Sequence, residues 1–113
     1  MGLLLSLIPQ FAVAQPDNFT TKVHYLADKY EVNPELALRI MNCESKLNPL
    51  AINHNTNGTT DYSYWQLNSI WRKQMSDNDL DIKDPDQNLE AGFIILSEYG
   101  TNQWRDSKTC WKS

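Results

Sequence analysis

The sequence predicts a mainly helical α+β domain with one small β-hairpin. Three local signals lead there. Asn33-Pro34-Glu35 and Asp84-Pro85 each pair a capping side chain with a proline pre-set for the first helical position, and Asn57-Gly58 is the strongest short hairpin signal a sequence offers. At 113 residues the chain makes a single domain with one modest core.

The N-terminal run MGLLLSLIPQFAVAQ is apolar up to Ala14 and closes on Ala12-Val13-Ala14, a small-x-small cleavage pattern. Residues 1–14 therefore read as a signal peptide, although no Lys or Arg opens the run, and residues 15–113 as the exported domain. The run is short for a bilayer and contains Pro9, so a retained anchor is the weaker reading, and nothing else is apolar enough to span.

NFTTKVHYLADKY spaces Phe19, Val23, Leu26 and Tyr30 for one face of a first helix. The second helix starts at Pro34 and carries Leu36 and Ile40 at i, i+4, with Glu44 next on the same face. The polar stretch NHNTNGTTDYSYWQLNS then supplies the hairpin, with Thr59 to Tyr64 suited to a strand. SIWRKQM suits a short helix or turn. DPDQNLEAGFIILSEYG runs from the cap Asp84 to a stop at Gly100. Its Phe93-Ile94-Ile95-Leu96 run is apolar all round, which marks the buried central helix.

Composition excludes some partners. Ten Lys and Arg against fourteen Asp and Glu give a formal charge of −4, with the basic residues scattered. That argues against nucleic acid or an anionic membrane as the main partner. Cys43 and Cys110 make an even count in an exported chain, which favours one disulfide from the second helix to the C-terminus; two buried thiols are the alternative. Neither cysteine lies in a CxxC or His-rich cluster, and His24 and His54 stand alone, so no metal is expected. Asp77, Asp79 and Asp81 alternate as in a calcium loop but lack its Gly and distal Glu, and read as a solvated acidic loop. No cofactor is implied.

The chemistry gathers at two carboxyl groups. Glu44 continues an apolar stripe, where lost hydration favours the protonated form; the alternative places it beyond the last buried turn, in solvent. Asp61 alternates with Tyr62 and so faces away from Tyr62 and Tyr64. Around it stand Asn53, Asn55, Asn57, Thr59, Thr60, Gln66 and Asn68. A carboxylate among amides and hydroxyls is hydrogen-bonded and hydrated, a setting that favours its charged form. One acid to protonate a leaving oxygen and one anion to meet developing positive charge are what glycoside hydrolysis needs. The amides suit sugar hydroxyls and N-acetyl groups, and four Trp offer platforms for sugar rings.

The stretch ESKLNPLAINHNTNGTTDYSYWQLNS resembles the active-site segment of c-type lysozymes. ESKLNP, WQLN and DPDQNLEAG are similar to SLT-type lytic transglycosylases. The likeness is gapless from Glu44 to Ser69 and looser from about Asn33 to Trp104. It implies a lysozyme-like helical domain with the hairpin beside an active-site cleft. It also implies that Glu44 is the general acid and Asp61 the nucleophile or electrostatic stabiliser. Asn53, Gln66 and Asn68 would bind the N-acetylated sugar, Trp71 would pack on a ring, and Trp104 would lie near the wall of the catalytic Glu.

The resemblance thus implies an enzyme acting on peptidoglycan glycan strands, and the leader places it outside the cytoplasm; a monomer with no stable membrane insertion after signal cleavage is expected. Two departures bear on it. The glycine that usually follows Asp-Tyr is Ser63, which predicts a narrower cleft if that glycine makes room for sugar. The Ala-Tyr-Asn motif of SLT enzymes is absent, since Tyr99 sits in SEYGTN, which favours hydrolysis over transglycosylation. A lytic transglycosylase using Glu44 alone, and a non-catalytic glycan-binding relative, are the alternatives.

Overall fold

A computed structural model describes residues 18–112; the leader assigned to residues 1–14 lies outside them. Helix α1 (Asn18–Lys29) buries Val23, Leu26 and Ala27, with Phe19 and Tyr30 packed at the edge of the core. Helix α2 (Pro34–Ser45) begins where the Asn33 side chain accepts hydrogen bonds from the Glu35 and Leu36 amides. It buries Ala37, Ile40 and Met41, and it ends as Lys46 turns left-handed at φ 56°.

The polar stretch forms a three-stranded antiparallel sheet of β1 (Ile52–His54), β2 (Thr60–Tyr62) and β3 (Leu67–Asn68). The Asn57-Gly58 turn lies between β1 and β2, with Gly58 at φ 88°, a conformation open to glycine at little strain. The expected two-stranded hairpin thus gains a third strand, too short for a period-2 pattern to reveal. Strand β2 also stops earlier than Tyr64, because Ser63 adopts φ 61° and breaks the extended run. Register places Asn53 opposite Asp61 and Asp61 opposite Asn68, so the three form one row across the sheet.

A 3-10 turn (Ser69–Trp71) and short helix α3 (Arg72–Ser76) lead to the central helix α4 (Pro85–Tyr99). The Asp84 side chain caps it by accepting from the Gln87 amide, and Gly100 at φ 70° closes it, both as the sequence predicts. Leu89, Ala91, Gly92, Phe93, Ile95 and Leu96 are all buried, so α4 is surrounded. The buried Asn88 ties it to the sheet, donating to the Tyr62 and Ile82 carbonyls and accepting from the Trp65 amide. A 3-10 segment (Gly100–Ser107) and the last helix α5 (Lys108–Trp111) return the chain to α2, where Cys110 is disulfide-bonded to Cys43.

Trp65 is the hub of the core. It is fully buried, packs edge-on to Phe93 at 5.3 Å and against Trp104 at 5.0 Å, and donates its indole N–H to the Leu89 carbonyl. Its ring lies on Gly92 so closely that a β-carbon there would sit 2.1 Å from Trp65 Cδ1. Alanine would gain about 1 kcal/mol of helix propensity. Against that, a rigid, hydrogen-bonded indole must be displaced, and overpacking of this kind costs roughly 3 kcal/mol or more. Gly92→Ala is therefore expected to lower the urea midpoint sharply. An unchanged midpoint would mean that the indole has room to move.

Candidate active site

Glu44 lies on the last turn of α2. Ile40, one turn before it, is fully buried and Leu36 partly so, and Glu44 itself is half-buried rather than beyond the last buried turn. Burial pushes its carboxyl above the usual range. Asp61 and Asp106 push the same way through their charge, and a hydrogen bond from Ser107 opposes them. Ser107 Oγ donates to Glu44 Oε2 at 2.5 Å. The neighbouring Cys43–Cys110 bond ties α2 to the C-terminal segment beside this contact.

Asp61 projects from the middle strand, close enough for its charge to act on Glu44. Its two oxygens accept from different amides, Oδ1 from Asn68 Nδ2 at 2.9 Å and Oδ2 from Asn55 Nδ2 at 3.2 Å. Both amides also reach Thr59 Oγ1, which locks the network to the turn. A carboxyl held at both oxygens has little freedom to rotate. The helix thus carries a half-buried acid and the sheet an amide-anchored carboxyl whose charge reaches it.

The expected sugar-binding residues divide by exposure. Asn53 is exposed on β1 and donates to Gln66 Oε1 at 2.6 Å. Gln66 is only 6% exposed, and its own amide donates to the Ala51 and Ser63 carbonyls. Asn68 holds Asp61 through Nδ2 and caps the Ile70 amide through Oδ1. Trp71 stacks at a tilt on Tyr99, 5.4 Å between centroids, and donates to Gln103 Oε1. With Asn102, Arg105 and Asp106 these three line an open cleft of about 400 Å³. Asp106 of this lining precedes Ser107, whose hydroxyl donates to Glu44.

Trp104 is 2% exposed and donates to the Trp65 carbonyl, while its own carbonyl accepts from Ser107 Oγ. It therefore meets the Glu44 region through Ser107. The larger cavity, about 770 Å³ between Ser69–Ser76 and Asp79–Gln87, contains neither carboxyl.

Ser63 corrects the expected narrowing of the cleft. It is 2% exposed, with its hydroxyl turned inward to the Pro49 carbonyl and its amide to that of Ala51. A glycine at this position suits the left-handed backbone, and the serine side chain takes no room from a ligand. Ser107, Gln103 and Asn88 escaped the sequence reading.

A mainly helical domain with a small three-stranded antiparallel sheet, carrying a half-buried glutamate and an amide-anchored aspartate, has the lysozyme-like α+β architecture. The chain matches the transglycosylase SLT domain over residues 22–110, and it belongs to that family. Lysozyme C of Takifugu rubripes is 61% identical over 28 residues, which cover 25% of this chain and 20% of that protein. The matched stretch thus spans only about a fifth of the length of the curated relative.

Proposed function

We propose that the protein is exported and hydrolyses the β-1,4 bond between N-acetylmuramic acid and N-acetylglucosamine in peptidoglycan. Glu44 gives its proton to the leaving oxygen, and Asp61 meets the positive charge that develops on the sugar, as nucleophile or stabiliser. The observation that carries this reading is Asp61 itself, held at both oxygens by Asn55 and Asn68 and acting electrostatically on Glu44. A non-catalytic glycan binder has no use for a half-buried acid. Asn53 and Asn68 meet the N-acetylated sugar, Gln66 orients Asn53, and a ring packs on Trp71 in the cleft it shares with Tyr99. The disulfide and the peptidoglycan substrate support export. No helix among the described residues is long and apolar enough to cross a membrane.

The family match favours a second reading, in which Glu44 works alone and the muramic acid closes on itself as a 1,6-anhydro product. Mass spectrometry of digested peptidoglycan separates the two by one water. Reducing ends are expected, and Asp61→Asn should lower their yield by about a hundredfold or more. Mainly anhydro products would make Asp61 a binding residue.

A further inference from the structure

The Ser107 hydroxyl stands between two acceptors. Its oxygen is 2.5 Å from Glu44 Oε2 and 3.1 Å from the Trp104 carbonyl oxygen, and it has one hydrogen to give. The segment that carries it is pinned on both sides. Trp104 is buried before it, and Cys110 after it is bonded to Cys43, the neighbour of Glu44. Trp111 adds a third anchor, donating its indole N–H to the Trp104 carbonyl.

We propose that Ser107 is the positioning residue of the general acid: by donating to Oε2 it leaves the transferable proton on Oε1 and steadies the carboxylate that remains. This rests on Glu44 being the acid, and it holds for either product. In the neutral acid, Oε2 is the carbonyl-like oxygen and accepts from Ser107. As the glycosidic bond breaks, its electron pair leaves with the departing oxygen, which takes the proton from Oε1. Glu44 is now an anion, and the Ser107 bond becomes charge-assisted, shorter and stronger than a neutral one. The group that completes the reaction, a water or the muramic acid's own hydroxyl, returns a proton to Oε1.

If the acid proton sat on Oε2 instead, it would point at the serine, and the Ser107 hydrogen would turn to Trp104. Geometry favours Glu44 in that competition: Oε2 is the nearer acceptor, and the Trp104 carbonyl already accepts the Trp111 indole N–H. Asp61 from the sheet and Asp106 from the C-terminal segment both oppose ionisation of Glu44, as burial does, and Ser107 favours it. Removing the hydroxyl therefore makes Glu44 a weaker acid and frees its proton to settle on either oxygen.

The test follows kcat and KM against pH on purified peptidoglycan for the parent, Ser107→Ala and Ser107→Thr, beside Glu44→Gln. In Ser107→Ala the basic limb of kcat/KM should move up by about one pH unit, and kcat should fall about tenfold with KM unchanged. Thr, which keeps the hydroxyl, should restore both. A 13C NMR titration of the Glu44 carboxyl should show the same upward move without any turnover. An unmoved limb and titration in folded Ser107→Ala would overturn the proposal, as would equal damage from Thr. If the parent cleaves no peptidoglycan, the functional reading falls, and the NMR titration still decides whether Ser107 governs Glu44.

Discussion

Glu44→Gln is expected to lower peptidoglycan cleavage by about a thousandfold, the upper part of what general acid catalysis supplies. Glutamine keeps the size of the side chain and can still accept the Ser107 hydroxyl, but it has no transferable proton. Glycan binding should stay within a few-fold of the parent. The variant should also be the more stable protein at pH 7. Burial raises the folded carboxyl above its ordinary 4.5, so the folded chain binds that proton more tightly than the unfolded one. The resulting stability is fully present below about 4.5 and is lost as pH rises through the folded value. An amide carries no such loss. The stability gap between variant and parent should therefore narrow as pH falls towards 4. Cleavage within a few-fold of the parent would remove Glu44 from the chemistry.

Local signals made the helices legible and left much of the site hidden. Asn33, Asp84, Pro34 and Pro85 act on the backbone next to them, so their effect can be read without knowing the fold. Asp61 was legible for a related reason: its anchoring amides, Asn55 and Asn68, lie in the same polar stretch. Ser107 lies 63 residues from Glu44 and sits in a segment with no motif, so only the closed chain brings them together. Gln66 shows a different limit. Its residue type suits a sugar, but burial turns its amide to the Ala51 and Ser63 carbonyls. Gly92 carries no message until Trp65 is known to lie on it. Local chemistry was readable; long-range packing was not.

Removing the Cys43–Cys110 bond is expected to lower stability by about 4 kcal/mol, from the chain-entropy cost of closing a loop this long. The two cysteines are separated by 67 positions, most of the described chain. Total stabilities of small domains run from about 5 to 15 kcal/mol, so the bond is a large fraction of what holds this one together. Thermal midpoints should fall by roughly 20 °C on reduction. Local detachment of the C-terminal segment is a separate question, and other contacts answer it. Trp111 is 6% exposed, its indole donates to the Trp104 carbonyl, and its carbonyl accepts from Arg39 Nε on α2. A buried aromatic contributes about 2 kcal/mol and each hydrogen bond about 1 kcal/mol. Together these rival the disulfide, so Ser107 should stay beside Glu44 in the reduced protein while the fold as a whole holds. Reduced protein should therefore keep most of its activity well below its new midpoint, and Trp111→Ala under reduction should lower kcat about tenfold, as Ser107→Ala does. A midpoint that moves by less than about 3 °C would show that the bond adds little, and activity lost on reduction far below the midpoint would show that the disulfide alone seats Ser107.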